Sequence, residues 1–346
     1  MHPPATLRQH LQTLDPLQQS MHAAIADTVL ALADGARELA ELISLGTLAG
    51  TLGALRGGSN ADGDAQKELD LRAHELFVER LRGAPVAAVA SEEAEAPQRL
   101  DAKAPLAVAI DPLDGSSNID TNVSIGTIFS ILPAIGNAAT DFLQPGHAQL
   151  AAGFFIYGPQ TALVLTLGRG TQVFILDRRD GDFRLARAQC KLPAGTREYA
   201  INASNYRHWE APIRAFVEDC ERGSEGPRGS DFNMRWIASL VADGYRILTR
   251  GGVFLYPGDR RRGYRHGRLR LVYEANPVAM VMEQAGGAAT DGVQRILDIQ
   301  PATLHQRTPL VFGAIDKVER VRRYHVESIA DSAHWPLFGR RGLLRG

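Results

Sequence analysis

Cysteine is scarce in this chain of 346 residues, and its two cysteines, Cys190 and Cys220, stand far apart in the sequence. Neither belongs to a Cys-x-x-Cys pair or has zinc-finger spacing, so we expect two reduced thiols rather than a disulfide or a cysteine metal site. The excess of charge is small as well, with a formal net charge of −1 at pH 7. Because nucleic-acid-binding proteins usually carry a basic field, no nucleic-acid partner is expected.

Long apolar segments are also missing. No run reaches the roughly 18 residues that a membrane-spanning helix needs. The first residues lack the basic stretch and apolar core of a secretory signal. We therefore expect a cytoplasmic protein with no membrane partner. The composition, with 45% hydrophobic and 22% charged residues, is ordinary for a globular protein, and the length suits two domains.

The most informative stretch is Asp111-Pro-Leu-Asp-Gly-Ser-Ser-Asn118, which follows the apolar run 106–110. An apolar run that stops at Asp-Pro predicts a buried strand ending in a carboxylate at a sheet edge. The carboxylates and the Leu113 carbonyl are hard oxygen ligands that suit Mg²⁺, and the amides after Gly115 can form an anion nest. Metal ligands beside a phosphate cradle indicate metal-assisted phosphate chemistry. The structural alternative is an Asx turn that caps a helix.

A second short apolar run, residues 86–90, ends in Ser91-Glu92-Glu93. If the two runs are neighbouring parallel strands, Glu92 and Glu93 lie beside Asp111 and Asp114, at the edge where α/β proteins usually bind ligands. Four unpaired acids repel one another strongly at low dielectric constant, and bound cations are the simplest remedy. A charged loop is the alternative interpretation of the two glutamates.

Two further acids, Asp64 and Asp70, stand at the start of a predicted helix with apolar residues at helical spacing. This segment alone favours a helix cap for Asp64 and a solvated position for Asp70. Other local patterns predict two helices over 21–55, separated near Asp34-Gly35 or continuous through it. They also predict one helix over 232–248 and a strand over 269–273.

The domain organisation follows from composition and from the alternation of elements. We expect a flexible N-terminal arm at 1–20, a metal-binding phosphatase domain at 21–192, a substrate-binding α/β domain at 196–330 and a C-terminal tail at 331–346. Alternating strands and helices in the second domain predict a parallel or mixed sheet.

The extended sequence Ile110-Asp-Pro-Leu-Asp-Gly-Ser-Ser-Asn-Ile-Asp120, followed by Val123-Ser-Ile-Gly-Thr-Ile-Phe129, resembles class 1 fructose-1,6-bisphosphatases. These enzymes belong to a wider family of Mg²⁺-dependent, lithium-sensitive sugar and inositol phosphatases. Four further motifs follow in the same order as in the family: Gly251-Gly-Val-Phe-Leu-Tyr-Pro257, Leu269-Arg-Leu-Val-Tyr-Glu-Ala-Asn-Pro277, Met282-Glu-Gln-Ala-Gly-Gly287 and His305-Gln-Arg307. The resemblance covers about residues 60–325. The resemblance implies an α/β fold, a two-domain layered α-β-α-β-α sandwich.

The resemblance also implies an activity, the hydrolysis of fructose 1,6-bisphosphate to fructose 6-phosphate and phosphate by metal-activated water. It implies two or three Mg²⁺ per subunit, with Mn²⁺ able to substitute. The implied metal ligands are Glu92, Asp111, the Leu113 carbonyl, Asp114 and Glu274, with Asp64 for a further ion. Asp70 and Glu93 would activate the water. The implied 1-phosphate cradle is Asp114, Gly115, Ser116 and Ser117. The sugar and its 6-phosphate would bind Asn202, Arg235, Tyr256 and Arg268. The family is typically a homotetramer, in which Arg235 would reach a neighbour's active site.

This chain departs from the family pattern around the remote phosphate. Trp236 and Asn205 stand where the family usually has tyrosines, Arg268 replaces the usual lysine, and the loop 257–267 is longer and more basic. Sedoheptulose 1,7-bisphosphate is therefore a second candidate substrate, and both gluconeogenesis and carbon fixation are compatible with the activity. The basic run Arg260-Arg-Arg262 is interpreted as a solvated turn or a subunit contact.

Regulation and two competing functions complete the expectations. The Gly-Thr-Gly-Glu helix start of AMP-inhibited members is absent, and Pro105-Leu106 stands in place of their Lys-Tyr pair, so AMP inhibition is expected to be weak or absent. An inositol monophosphatase-like enzyme or a nucleotide 3′-phosphatase is a second enzyme hypothesis, which the motifs of the second domain disfavour. A non-catalytic scaffold is the third, which the retained acids disfavour.

Overall fold

The computed structural model describes residues 4–13, 19–49, 55–59 and 65–333. Within these residues, the helices are α1 (Leu7–Gln12), α2 (Gln19–Leu45), α3 (Glu68–Arg82), α4 (Ala211–Glu221), α5 (Leu240–Arg250), α6 (Asn276–Gln284) and α7 (Ile315–Ala333). The strands are β1 (Leu55–Ser59), β2 (Ala65–Lys67), β3 (Val86–Ser91), β4 (Gln98–Arg99), β5 (Leu106–Asp114), β6 (Ile125–Pro133), β7 (Ala151–Tyr157), β8 (Thr161–Thr166), β9 (Thr171–Asp177), β10 (Asp182–Cys190), β11 (Glu198–Ala200), β12 (Asn233–Met234), β13 (Val253–Tyr256), β14 (Leu269–Arg270), β15 (Ala288–Thr290), β16 (Arg307–Thr308) and β17 (Leu310–Gly313).

The larger sheet has eight strands in the order β10-β9-β8-β7-β6-β5-β3-β4. Its neighbouring strands are antiparallel except β3 and β5, which are parallel, with Val89 opposite Val108 and Ser91 opposite Ile110. The carboxyl ends of these two strands therefore lie side by side. This confirms the pairing expected for the runs 86–90 and 106–110, and it places the acids that follow them at one edge.

The two faces of this sheet pack against different helices, because successive side chains of a strand point to opposite faces. On one face, Phe155 packs in a core with Phe77 of α3 and residues of α1 and α2. On the other face, Phe154 packs in a core with Val278 of α6, with residues of α5 and with Phe312. Since Phe312 belongs to the second sheet, α5 and α6 lie between the two sheets.

The second sheet has five strands in the order β12-β11-β13-β17-β15. Its far face packs against the outer helices, where Leu255 lies in a core with Phe216 of α4 and Val321 of α7. The layers are therefore helix, sheet, helix, sheet, helix, which confirms the predicted α-β-α-β-α fold. Among the described residues, no helix is both long and apolar enough to cross a membrane.

The N-terminal segment is more ordered than its sequence suggested. Thr6 and Gln9 form a capping box for α1, in which each backbone N–H donates to the other's side chain, at 2.9 and 3.2 Å. Leu7 and Leu11 are buried in the core. The prediction of a flexible arm over 1–20 is therefore wrong for residues 4–13, because two leucines four residues apart anchor a capped helical turn.

Helix α2 runs unbroken through Gly35, as one of the two alternatives for 21–55 allowed. A Cβ on Gly35 would lie 3.0 Å from the Phe77 ring, so glycine permits the close approach of α2 and α3. At the other end of the chain, α7 continues to Ala333, past the predicted start of the tail at 331, and residues 334–346 lie outside the described part.

The predicted helix over 232–248 is wrong in its first half. Residues 233–234 form β12, which pairs in parallel with β11, and α5 begins only after Ser239. Ala238 has a φ of 65°, a left-handed conformation that a right-handed helix cannot contain. The Ser239 side chain accepts a hydrogen bond from the Ala242 N–H at 3.4 Å and caps the helix there. Edge-strand pairing and the cap thus override the helical periodicity.

The predicted strand over 269–273 is also shorter than expected. Leu269 and Arg270 form β14, which pairs with β16, and residues 271–275 then form one turn of π-helix that leads into α6. Such turns are rare and occur often at functional sites. Here the turn carries Glu274.

Candidate active site

Three carboxylates converge at the carboxyl ends of β3 and β5. Glu92 follows β3 directly, Asp111 lies near the end of β5, and Glu274 comes from the π-helical turn. One carboxylate oxygen of each lies within 4.8 Å of the other two. Asp111 is 4% exposed and Glu274 is 6% exposed. Of the four acids predicted to meet at this edge, Glu92 and Asp111 belong to this group, and Glu274, which only the resemblance implied, is its third member.

The electrostatics of the cluster favour a cation. Burial raises the pKa of Asp111 well above its usual value, and the neighbouring carboxylates of Glu92 and Glu274 raise it further. Burial likewise raises the pKa of Glu274, followed by repulsion from Glu92. A set of hard oxygen donors whose mutual repulsion is only partly compensated, by Arg270, fits a divalent cation, because the ion's charge removes the remaining cost of ionising all three.

A buried arginine holds two members of the cluster. The Arg270 N–H donates to Glu274 Oε2 at 2.5 Å, and Arg270 Nη2 lies 3.6 Å from Glu92 Oε1. Arg270 is 2% exposed, so its charge acts in a poorly solvated environment. Asp111 is oriented separately, since its Oδ1 accepts the Leu113 N–H at 3.0 Å. The carboxylates are therefore fixed by the fold rather than by contacts with solvent.

Asp114 points toward the start of α5. Its Oδ2 accepts hydrogen bonds from the Ser239 hydroxyl and the Val241 N–H, both at 3.0 Å. Burial raises the pKa of Asp114, whereas these hydrogen bonds lower it. Among the described residues, Asp114 is not part of the three-carboxylate group, although its charge also raises the pKa of Asp111 and Glu274.

The predicted phosphate cradle follows as a short 3₁₀ turn, residues Ser116–Thr121. Gly115 enters this turn with a φ of 78°, and a Cβ there would lie 3.1 Å from Ser239 Cβ, so glycine is required for the close approach. Asn118 Nδ2 donates to the Ala238 carbonyl at 3.0 Å. The cradle is thus held against residues 238–239, and Ser117 is exposed.

Ala238, just before α5, has a strained left-handed backbone conformation. This conformation costs a residue with a side chain roughly 1–2 kcal/mol, whereas glycine adopts it without that cost. We expect Ala238→Gly to leave the free energy of unfolding unchanged or to raise it by up to about 1 kcal/mol, because relief of strain offsets the greater freedom of the unfolded chain. Urea denaturation measures it. The matched variant Ala242→Gly, in the first turn of α5, should lower the stability by about 1 kcal/mol. An equal decrease in the free energy of unfolding in both variants would contradict backbone strain at Ala238.

The two residues predicted to activate water come from different elements: Asp70 belongs to α3, and Glu93 directly follows Glu92. Asp70 is 3% exposed in the first turn of α3, so the solvated position favoured by its segment alone is wrong. The Glu93 N–H donates to Ser91 Oγ at 3.3 Å, and Ser91 Oγ lies 2.9 Å from His74 Nδ1. Ser91 therefore joins the Glu93 loop to α3. Asp64 lies outside the described residues.

A second pocket contains most of the predicted sugar and remote-phosphate residues. It is lined by Ile201, Asn202, Asn205, Trp209, Leu255, Tyr256, Pro257, Asp259, Arg261 and Arg268. Arg235 is exposed instead, and its Nη1 donates to the Met234 carbonyl at 3.3 Å. Trp236 stacks on Phe254 with ring centroids 5.7 Å apart and packs against Tyr256 at 5.9 Å. The indole thus supports the pocket wall formed by Tyr256.

Two groups of residues near the site were missed by the sequence analysis. The first is Asp259 and Arg261, which line the pocket although the basic run was interpreted as a solvated turn or a subunit contact. The Asp-x-Arg spacing was the one available signal. The second is a buried network in which Arg246 donates to Glu198 Oε2 at 2.7 Å and to Asp243 Oδ1 at 3.3 Å. No local pattern connects Arg246 with Glu198.

Asp243 ties this network to the turn before α5. It has no exposed surface, and burial raises its pKa to about 6. Its Oδ2 accepts the Ile237 N–H at 3.1 Å, and Arg246 Nη2 donates to the Arg235 carbonyl at 3.4 Å. The backbone between the pocket and the three-carboxylate cluster is therefore held by buried charges.

The fold and the site together define a metal-dependent phosphatase. Family models described as the N-terminal and C-terminal domains of fructose-1-6-bisphosphatase match residues 12–188 and 192–326. The chain belongs to the class 1 fructose-1,6-bisphosphatase family.

Individual relatives agree with this. The class 1 fructose-1,6-bisphosphatase of Sinorhizobium medicae is 56% identical over 345 residues, which cover 99% of each chain. That of Rhodopseudomonas palustris strain TIE-1 is 56% identical over 332 residues, 96% of this chain and 95% of the relative. Among solved structures, the holo form of Leishmania major fructose-1,6-bisphosphatase superimposes with a TM-score of 0.86 at 32% identity, covering 93% of this chain and 99% of the other.

Proposed function

We propose that this protein hydrolyses fructose 1,6-bisphosphate to fructose 6-phosphate and phosphate, with Mg²⁺ as its metal. The observation that carries the proposal is the convergence of Glu92, Asp111 and Glu274 within 4.8 Å, beside a glycine-containing turn, in a chain that belongs to this family. Phosphate hydrolysis requires an in-line water, neutralisation of the charge on the phosphoryl group and stabilisation of the leaving oxygen. The site has residues suited to each of these tasks.

The metal would be held by Glu92, Asp111 and Glu274, with Asp114 and the Leu113 carbonyl as further ligands and Asp64 for an additional ion. Two or three Mg²⁺ per subunit are proposed. When bound, the metal supplies charge neutralisation and lowers the pKa of water. The raised pKa values of the buried carboxyls support this assignment, because a site built for a cation is costly to ionise without one.

The protein's own groups would place the reactants. Asp70 and Glu93 are proposed to orient the attacking water and accept its proton; the burial of Asp70 supports a role other than solvation. The N–H groups that follow Gly115, with the hydroxyls of Ser116 and Ser117, are proposed to bind the 1-phosphate. Fixed donors in a turn need no reorganisation as charge develops on the phosphoryl oxygens.

The remaining part of the substrate would bind in the second pocket. Asn202, Tyr256 and Arg268 line it and are proposed to contact the sugar and its 6-phosphate. We also propose a homotetramer in which Arg235 reaches a neighbour's active site. The exposure of Arg235, away from the lining of its own pocket, supports this arrangement.

A wider substrate range is the second candidate function. Asn205 lines the pocket where the family usually has a tyrosine, and the shorter side chain leaves more room for a seven-carbon sugar. We therefore propose sedoheptulose 1,7-bisphosphate as an additional substrate. Weak or absent AMP inhibition and a cytoplasmic location are proposed as well; both described cysteines are buried and free, which suits a reducing compartment. The two family matches are separated at residues 189–191, which supports two domains and a boundary a few residues before the one proposed at 193–195.

The test is phosphate release from each bisphosphate, with Mg²⁺, with Mn²⁺ and after treatment with EDTA. We expect release from fructose 1,6-bisphosphate that EDTA abolishes and added Mg²⁺ restores, and comparable release from the seven-carbon sugar. Micromolar AMP should not slow either reaction. No release from either sugar by folded protein would contradict the proposed function, and release from inositol 1-phosphate would then favour the inositol phosphatase hypothesis. Negligible turnover of the seven-carbon sugar alone would remove the second candidate.

A further inference from the structure

We propose that Arg261 is a specificity-determining residue that binds, together with Arg268, the substrate phosphate remote from the metal-ligand cluster. The inference rests on the proposed function, because it concerns the second phosphate of the same bisphosphate. It assigns a role to the basic turn after β13, whose middle arginine enters the pocket while Arg260 and Arg262 are exposed.

The side chain of Arg261 is held in place from two directions. Its Nε lies 3.0 Å from each carboxylate oxygen of Asp259, and its Nη2 donates to Asn205 Oδ1 at 3.0 Å and also to Asp259. Asp259 is 5% exposed, so this pair is anchored in the protein rather than in solvent. An arginine fixed in this way loses little conformational entropy on binding a ligand.

Arg261 keeps donor capacity for a ligand. Its Nη1 makes no hydrogen bond with any residue in the described part of the chain, although the side chain lines the pocket. A guanidinium carries five N–H donors, so those on Nη1 are available to phosphate oxygens. The Asn205 amide oxygen then holds Arg261 in place, and Arg261 donates the hydrogen bonds to the phosphate.

A second arginine lies against the same aromatic ring. The guanidinium carbon of Arg261 is 4.5 Å from the centroid of the Tyr264 ring, and that of Arg268 is 5.0 Å from it. Arg268 has no carboxylate partner among residues 4–13, 19–49, 55–59 and 65–333. Two cations and one carboxylate, Asp259, leave the pocket with a net positive charge. A phosphate dianion between the arginines would compensate it and relieve their mutual repulsion.

The competing explanation is structural, because the Asp259–Arg261 pair could serve only to close the turn. The two explanations differ in which substrates are affected. A residue that binds the remote phosphate matters for fructose 1,6-bisphosphate and not for fructose 1-phosphate, which has no phosphate at that end. A residue that only shapes the turn affects the folded protein and both substrates alike.

The experiment compares Arg261→Gln with Arg262→Gln, an equal loss of charge at an exposed position in the same turn. For Arg261→Gln we expect kcat/KM for fructose 1,6-bisphosphate to fall about 10- to 100-fold, the usual range for lost hydrogen bonds to a charged group. The kcat/KM for fructose 1-phosphate should stay within about twofold, and Arg262→Gln should change both by less than about threefold. Calorimetry should show an equally large loss of fructose 6-phosphate affinity in Arg261→Gln alone.

Several results would overturn the inference. Equal losses in Arg261→Gln and Arg262→Gln would indicate a general field effect, and equal losses on both substrates would indicate a structural role. If Arg261→Gln does not fold, Arg261→Lys serves instead, because it keeps a cation beside Asp259; it should lose activity only toward the bisphosphate. Failure of the proposed function would give a different result, since the unmodified protein would then release no phosphate from fructose 1,6-bisphosphate or from fructose 1-phosphate.

Discussion

Replacing Asp111 with asparagine is expected to abolish the metal-dependent phosphatase activity while making the metal-free protein more stable. Asparagine keeps the oxygen that accepts the Leu113 N–H but removes one of three converging negative charges. A metal's stabilisation of transition-state charge is worth several kcal/mol, so we expect kcat to fall by about 10³-fold or more. Removing a poorly compensated buried charge should raise the free energy of unfolding without metal by about 1–4 kcal/mol.

Thermal unfolding in EDTA and in Mg²⁺ measures both consequences. Mg²⁺ should stabilise the unmodified protein, because a ligand that binds only the folded state raises the free energy of unfolding. In Asp111→Asn most of this stabilisation should be lost. Asp101→Asn is the matched control, because Asp101 Oδ1 accepts the Lys103 N–H at 2.9 Å in the same way but at an exposed site. Activity within tenfold of the unmodified enzyme, or a lower stability of Asp111→Asn in EDTA, would contradict the metal-ligand role.

The pH dependence of the metal-free protein gives an independent check. Because the pKa values of Asp111 and Glu274 are raised in the folded state, the folded state retains protons that the unfolded chain releases. The contribution of these two carboxyls to the free energy of unfolding is therefore greatest below the ordinary carboxyl pKa range and decreases as the pH rises toward the raised values. This decrease should be smaller in Asp111→Asn than in the unmodified protein.

The second large effect is expected from Arg246→Met, which should lower the free energy of unfolding by about 3–5 kcal/mol. Arg246 is the cation between Glu198 and Asp243, which are 6% and 0% exposed. Its loss removes the cation that faces Asp243 and leaves Glu198 with only the exposed Arg250. Urea denaturation measures the change. Arg250→Met is the matched control, since Arg250 Nη2 also lies 3.4 Å from Glu198 Oε1 but its side chain is 67% exposed. That variant should lose less than about 1 kcal/mol.

The pH profile separates this network from simple loss of packing. Asp243 has a pKa raised to about 6 by burial, although Arg246 lowers it, so removing Arg246 should raise the pKa further. The contribution of Asp243 to stability then decreases as the pH rises from the ordinary carboxyl range to about 6 in the unmodified protein, and this decrease extends to a higher pH in Arg246→Met. Equal effects of Arg246→Met and Arg250→Met would show that the buried network contributes little.

The sequence predicts well that acids meet at one edge of the larger sheet, because the signals for this are local. Each of the two apolar runs that become β3 and β5 ends in acids, and two strands that both end in acids need only be neighbours to bring Glu92 and Asp111 together. The extended motif around Asp111 also identifies the family without any tertiary information. Glu274 is assigned to the cluster by its motif alone, since residues 271–273 of the π-helical turn that presents it were expected to be a strand.

The parts that sequence reasoning missed depend on contacts between distant segments. Arg261 enters the pocket because Asp259 and Asn205 hold it, and Asn205 lies 56 residues away in the chain. Arg246 and Glu198 are 48 residues apart. At Ala238 the local preference for helix loses to the pairing of β12 and to the capping of α5. In each case the deciding energy comes from burial or from long-range hydrogen bonds, which no local pattern contains.

The short segment between β12 and α5 touches both ends of the proposed substrate site. Trp236 packs against Tyr256 of the second pocket, and Ser239, three residues later, donates to the carboxylate of Asp114. Three residues of fully extended chain span at most about 10–11 Å, so this segment limits how far Trp236 and Ser239 can move apart. With the substrate placed as proposed, a short stretch of backbone links the binding regions of the two phosphates. A change in the sugar length that the enzyme accepts is then expected from the walls of the pocket, where Asn205 and Arg261 lie, rather than from movement of the edge that carries the acids.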